Sequence, residues 1–130
     1  MLIFGHSFLP SKSLYHIASI DGLTNTPPSS TVYIEFSEDN LDIIKHATIN
    51  QIEFALDVKN ITELIYASAL DAKYILVSRE MAKTAQNIAE NYLFDAKILV
   101  HISDNKEIEE LALLGIDGVI FSNAIIKINS

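Results

Sequence analysis

The sequence ILVHISDNKEIEELALLGIDGVIFS, residues 98–122, indicates how this chain folds. It begins and ends with runs of β-branched and aromatic residues, ILVHI and GVIFS, that are typical of strands. Between them, NKEIEELALLG has apolar residues at the i, i+3 and i+4 spacing of an amphipathic helix. Two consecutive strands joined through a helix usually pair in parallel. The stretch therefore predicts a strand–helix–strand unit.

The same alternation continues through most of the chain. Strands are expected at residues 31–36, 52–58, 73–78, 97–102 and 118–122, and helices at residues 40–47, 60–70, 79–92 and 105–115. The first thirty residues are less regular, with further strands possible at 2–4 and 13–17 and a short helix capped by Ser19. This order predicts one α/β domain over residues 1–130, with a parallel sheet of about five strand–helix units.

An internal repeat supports this interpretation. The opening stretch aligns without a gap to the region 44 residues earlier, residues 54–78. Both copies have a helix start that fits a variant capping box, Asn60 with Glu63 and Asp104 with Glu107. Both helices are expected to end at a left-handed turn residue, Asp71 in one copy and Gly115 in the other. The two units are therefore expected to have the same local structure.

Polar and apolar residues alternate within the strands, and this pattern favours one parallel architecture over another. Around Phe54, residues 52, 54, 56 and 58 are all apolar, whereas Glu53 and Asp57 lie on the opposite face. Helices would cover only the apolar face, as in the wall of a (β/α) barrel. We therefore predict a partial, half TIM-barrel-like sheet. The alternative is a flavodoxin-like doubly wound sheet with helices on both faces, which would bury Glu53, Asp57 and His101.

The segment from residue 98 to 124 resembles the closing segment of glycerophosphodiester phosphodiesterases, and it is similar to the ends of several phosphate-binding barrels. Residues 115–120, GIDGVI, carry the resemblance. In that enzyme family, catalysis requires an early His-Arg-Gly and a Glu-x-Asp pair that holds a divalent metal. This chain has Gly5-His6-Ser7 and Glu35-Phe36-Ser37 instead. The resemblance therefore implies a barrel-like fold, and no catalytic residue is carried over.

A closed barrel of eight strand–helix units takes roughly 200 residues or more, so 130 residues supply only part of a wall. Unpaired edge strands are usually covered. Either the edges meet in an oligomer, for which we expect a homodimer, or the N-terminal segment folds over one edge.

Composition narrows the expected partners and location. Nine basic and seventeen acidic residues give a formal charge of −8, so we expect neither nucleic acid nor an anionic membrane as a partner. The chain has no cysteine and no apparent signal peptide after Met1, which predicts a cytoplasmic location. No nucleotide-binding, zinc-spacing or nucleophile-elbow motif is present, and we expect no cofactor and no bound metal.

Three polar residues near the carboxyl ends of predicted strands are candidate catalytic residues: Glu35, Asp57 and His101. Two carboxylates and an imidazole suit a divalent metal or acid–base chemistry, although solvated structural residues would give the same pattern. Ser78 and Ser122 occupy matched positions before helices and are candidate anion-binding residues. Simple N-capping is the structural alternative for both serines.

We therefore expect an intracellular, non-catalytic barrel-fragment module that acts by self-association or by binding a small anionic ligand. The alternative is a small metal-dependent, phosphodiesterase-like hydrolase that uses Glu35, Asp57 and His101.

Overall fold

A computed structural model of the chain describes residues 1–128. The strands are β1 (Leu2–Phe4), β2 (Leu14–His16), β3 (Thr31–Glu35), β4 (Phe54–Asp57), β5 (Tyr74–Val77), β6 (Lys97–Ile102), β7 (Gly118–Phe121) and β8 (Ile125–Lys127). The α-helices are α1 (Ile20–Thr24), α2 (Leu41–Ile49), α3 (Ile61–Ala69), α4 (Ala82–Asn91) and α5 (Lys106–Leu113). Short 3₁₀ helices lie at Glu38–Asn40, Arg79–Met81 and Ser122–Ala124.

The strands form a single parallel sheet in the order β1-β7-β6-β5-β4-β3-β2-β8. The five strands that the sequence predicts are β3 to β7, and they are neighbours in chain order. A doubly wound sheet reverses its strand order at a central switch point. That reversal does not occur between β3 and β7, so the flavodoxin-like alternative is wrong.

The sheet curls, because a short segment links a strand near one edge of the sheet to the strand at the other edge. β7 is second in the strand order and β8 is last, yet only the three residues Ser122–Ala124 separate them in the chain. In a flat sheet, β7 and β8 would lie six strand spacings apart, roughly 29 Å. The linking residues span at most about 14 Å. The sheet therefore bends into the partial barrel that the sequence predicts.

Two separate clusters of apolar side chains form the core. The larger cluster joins the outer face of the sheet, for example Ile34 and Leu56, to helix residues such as Ile44 and Leu64. The smaller cluster is on the inner face and consists of strand residues and Ala124: Phe4, Leu14, Tyr33, Ala55, Tyr74, Leu76, Leu99, Ile120 and Ala124. Helices therefore pack on one face only, as the alternation within the strands predicts.

The N-terminal residues contribute to the two sides of the sheet. Residues 2–4 form β1 beside β7, and residues 14–16 form β2 between β3 and β8. The first 16 residues therefore supply one edge strand and the strand next to the other edge. The sequence-based alternative placed this segment over one edge only, whereas it pairs on both sides of the sheet. The homodimer stays a prediction. The helices within residues 1–128 lack the length and apolar character of a membrane span.

Most of the predicted turn and cap chemistry is confirmed. The Asn60 side chain accepts the Glu63 amide at 2.9 Å, and Asp71 and Gly115 both have left-handed backbones, with φ of 65° and 76°. At α3, the Glu63 carboxylate accepts the Lys59 amide rather than the Asn60 amide, so only half of the predicted reciprocal pair forms. The start of α5 differs as well. The Asp104 carboxylate accepts the Lys106 amide at 2.9 Å rather than the amide of Glu107. The Glu107 carboxylate still accepts the Asp104 amide, at 3.2 Å, so half of the reciprocal pair forms.

Candidate functional site

The carboxyl ends of β3, β4, β5 and β6 surround an open cavity of about 330 Å³ on the inner face of the sheet. Its lining residues are Tyr33, Asp57, Val58, Lys59, Leu76, Val77, Ser78 and His101. Parallel strands in register bring their carboxyl ends to one edge, which is where sites occur in open and closed parallel sheets alike. Of the candidates predicted from the sequence, Asp57, Ser78 and His101 therefore meet at one cavity.

Tyr33 and Asp57, which both line the cavity, are joined by a hydrogen bond. The phenol of Tyr33 donates to Asp57 Oδ2 from the neighbouring strand. Burial, together with this bond and the negative charge of Asp57, raises the pKa of Tyr33 far above its ordinary value. Tyr33 therefore stays protonated and acts as a fixed donor to the carboxylate.

The pKa of Asp57 is raised above its ordinary value, and burial is the main cause. Glu35 pairs with Asp57 in the β3–β4 register, and its negative charge also raises the pKa. The Tyr33 bond and the positive charges of Lys59 and His101 act in the opposite direction without cancelling the increase. Asp57 is thus a half-buried carboxylate whose charge is poorly compensated by the protein.

His101 and Ser122 form a second polar pair at the same edge. The Nε2 atom of His101 lies 2.8 Å from Ser122 Oγ, and both residues are exposed. His101 follows Asp57 by 44 residues, which is the offset of the internal repeat. The two copies therefore contribute chemically different side chains from the same structural position to one cavity.

The two serines do not act as the helix caps that the structural alternative required. Ser78 precedes a 3₁₀ helix, but its side chain makes no capping hydrogen bond there. Ser122 is the first residue of another 3₁₀ helix, and its hydroxyl contacts His101. Ser78 lines the cavity directly, whereas Ser122 is connected to it through His101.

Two residues of the site were not among the sequence-based candidates. Tyr33 alternates in phase with Glu35, so its inward direction was readable, but an aromatic residue in a strand is ordinary. Lys59 lies two residues after Asp57, just beyond the end of β4. Within residues 1–128, no three His, Asp or Glu side chains are grouped so that they could hold a metal ion.

The cavity combines hydrogen-bond acceptors with donors and one cation. Asp57 accepts hydrogen bonds at several lone pairs, Lys59 is cationic, and Ser78 can donate or accept. His101 can donate or accept according to its tautomer. Such a set can hold a small molecule that has both hydroxyl groups and an anionic group.

No protein-family model matches the sequence, and no curated protein is significantly similar to it. The function is therefore inferred from the side chains of the site.

Proposed function

We propose that this protein is a non-catalytic α/β module that binds a small anionic ligand carrying hydroxyl groups at the carboxyl end of its curled sheet. The observation that carries the proposal is the convergence of Asp57, Lys59, Ser78 and His101 on one cavity. A volume of about 330 Å³ is at the small end of ligand sites, so a ligand of a few carbon atoms with one phosphate or carboxylate is favoured.

The charges of the site favour a ligand with both kinds of group over a bare anion. Glu35 and Asp57 would repel a free phosphate ion, and Lys59 alone does not offset two carboxylates. Hydroxyl groups on the ligand can donate to Asp57, whose charge is otherwise poorly compensated. The anionic group would then lie toward Lys59 and the hydroxyl of Ser78.

A non-catalytic role is supported by the surroundings of His101. A histidine that activates a serine is normally oriented by a third group bound to its other ring nitrogen. Among residues 1–128, no hydrogen bond to Nδ1 of His101 accompanies the contact with Ser122. Both side chains are also exposed to water. Self-association, the other predicted mode of action, stays a prediction.

The proposal is tested by titrating glycerol 3-phosphate into ¹⁵N-labelled protein, with glycerol and inorganic phosphate as matched controls. Glycerol 3-phosphate is expected to bind roughly tenfold more tightly than either control, because it alone has both hydroxyl groups for Asp57 and a phosphate for Lys59. The amide signals that shift should belong to residues 57–59, 78 and 101.

Two variants separate this site from general charge attraction. Lys59→Met should weaken binding of glycerol 3-phosphate, whereas Lys45→Met, on the exposed surface of α2, should leave it unchanged. Equal effects of the two substitutions, or shifts outside the cavity, would contradict the proposal. Hydrolysis of a glycerophosphodiester to glycerol 3-phosphate and the free alcohol by the purified protein would contradict the non-catalytic part.

A further inference from the structure

A larger groove lies on the opposite, helical side of the sheet, between the start of α2 and helix α3. Its volume is about 640 Å³, almost twice that of the sheet-end cavity. Phe36, Leu41, Tyr66 and Leu70 contribute its apolar surface. Ligand sites are commonly concave and mostly apolar, with a few polar groups at defined places. The groove has this character, and it is separate from the cavity at the strand ends.

An aromatic pair forms one part of the groove. The rings of Phe36 and Tyr66 are stacked, with centroids 6.2 Å apart and an interplanar angle of 27°. Phe36 packs against the core, but Tyr66 is 54% exposed. An exposed tyrosine over a groove leaves aromatic surface that a planar or cationic group could cover.

The charged groups around the groove are of one sign. Glu38 and Glu63 line it, and none of the lining residues that the structure describes is basic. Asp39 and Asp42 are close by in sequence, on the segment that leads into α2. The Glu63 carboxylate accepts the Lys59 amide at 2.9 Å, which holds it at the rim beside Asn60.

We propose that this groove binds an organic cation, namely a small molecule with an aromatic or alkyl body and one ammonium or guanidinium group. The body covers Phe36, Leu41 and Tyr66, and the cation lies between Glu38 and Glu63. Charge complementarity selects this occupant, because an anionic ligand would be repelled by both carboxylates. A second copy of the chain is disfavoured, since each copy has a formal charge of −8.

The test uses three probes of the same shape: 2-phenylethylamine, 2-phenylethanol and phenylacetate. Each is titrated into the ¹⁵N-labelled protein at constant ionic strength. The amine is expected to bind about tenfold more tightly than the alcohol, with phenylacetate weakest. Amide shifts should be concentrated in residues 36–41 and 60–70. Equal binding of amine and alcohol, or shifts at the sheet-end cavity instead, would overturn the proposal.

Matched variants distinguish the groove from the acidic surface as a whole. Glu38→Gln should weaken the amine and leave the alcohol unchanged, whereas Glu109→Gln, on exposed α5, should affect neither. Tyr66→Ala should weaken both amine and alcohol, and Tyr92→Ala, which removes a tyrosine that is 74% exposed elsewhere, should weaken neither. If Glu109→Gln has the effect of Glu38→Gln, the attraction is general and the proposal fails. Concentration-dependent shifts of residues 36–41 without any probe would identify a second copy as the occupant and also overturn it.

Discussion

Two carboxylates on the inner face of the sheet accept similar hydrogen bonds, but their pKa values are shifted in opposite directions. At the amino end of β4, Glu53 Oε1 accepts a hydrogen bond of 2.9 Å from the hydroxyl of Thr31. At the carboxyl end of the same strand, Asp57 accepts one from the hydroxyl of Tyr33. Both donors belong to β3. The two carboxylates thus share the same pair of strands and the same type of hydrogen bond.

The difference lies in what else surrounds each carboxylate. Lys12 Nζ is 3.4 Å from Glu53 Oε1 and 4.9 Å from the centre of the Tyr74 ring. Lys12 therefore forms an ion pair with Glu53 at the amino end of the strands. The Thr31 bond, followed by the charge of Lys12, lowers the pKa of Glu53. At the other end, burial and the charge of Glu35 raise the pKa of Asp57. The surroundings of Glu53 thus favour its charged form, whereas those of Asp57 disfavour it.

This contrast distinguishes the amino end of the sheet from its carboxyl end, where we propose that a ligand binds. Groups that reduce stability are commonly retained where a ligand or a reaction uses them. We therefore expect the Glu53 network to contribute to folding, whereas the proposed function assigns the remaining hydrogen-bonding capacity of Asp57 to a ligand. Substitutions at the two ends should therefore change the free energy of unfolding by different amounts and with a different dependence on pH.

The largest difference is expected between Tyr33→Phe and Thr31→Val. Tyr33→Phe leaves a half-buried carboxylate without its donor and should lower the free energy of unfolding at pH 7 by about 1.5–3 kcal/mol. Thr31→Val should cost about 1 kcal/mol, because Lys12 still neutralises Glu53. Urea unfolding of both variants measures the two costs. If Thr31→Val lowered the free energy of unfolding more than Tyr33→Phe, the expected difference between Glu53 and Asp57 would be wrong.

The pH dependence of Asp57→Asn and Glu53→Gln should have opposite signs. A folded-state pKa above the unfolded one means that native Asp57 binds a proton more readily, so its contribution to stability falls as pH rises through that window. At pH 7, Asp57→Asn should therefore be more stable than the wild type, by about 0.5–2 kcal/mol. Glu53 has a lowered pKa, so its contribution is present above its unfolded pKa and is lost as pH falls.

Thermal unfolding of the two variants between about pH 3 and pH 7 measures how the stability of each depends on pH. The stability of Asp57→Asn relative to the wild type should increase with pH, and that of Glu53→Gln should decrease. Parallel slopes for the two variants would mean that the two carboxylates are in equivalent environments, contrary to the comparison.

The smallest effect is expected for Lys12→Met, which keeps most of the apolar stem and removes the charge. The side chains of Lys12 and Glu53 are 43% and 51% exposed, so their ion pair is screened by solvent. Loss of the pair should cost about 0.2–1 kcal/mol, and the cost should shrink when salt is added. Unfolding in low and in high sodium chloride provides the measurement. A cost that does not change with salt would indicate packing against Tyr74 instead.

Strand alternation was enough to predict which face of the sheet the helices cover, and so to place Asp57 and His101 at one cavity on the other face, with Glu35 beside Asp57. It could not predict the bond between Tyr33 and Asp57, because that depends on the register of two strands far apart in sequence. The Lys12–Glu53 pair depends on the path of residues 5–13, a loop without a periodic pattern. Local sequence patterns thus predict on which face of the sheet a side chain lies. Its contact partners on other strands are fixed only when the whole sheet has assembled.

Strand β8 was missed for a different reason. The sequence GVIFSNAIIK runs from β7 into β8 without glycine or proline between them, and its pattern predicts a strand at residues 118–122 but no second strand after it. The 3₁₀ helix at Ser122–Ala124 breaks this run and directs residues 125–127 to the other side of the sheet. Ala124 packs into the inner cluster at this bend, and that packing depends on side chains from distant strands.

The short link between β7 and β8 also has a kinetic consequence. The register of β8 joins Leu14 to Ile125, and that of β1 joins Leu2 to Gly118, so each pairing closes a loop of more than a hundred residues. Such high contact order slows folding, because chain entropy is lost before the pairing compensates for it. The strands β3 to β7, whose neighbours are local, can assemble first. Strand β2 can pair with β3 as soon as both are synthesised, but its other edge stays unpaired until β8 joins it, and an unpaired strand edge is exposed to aggregation.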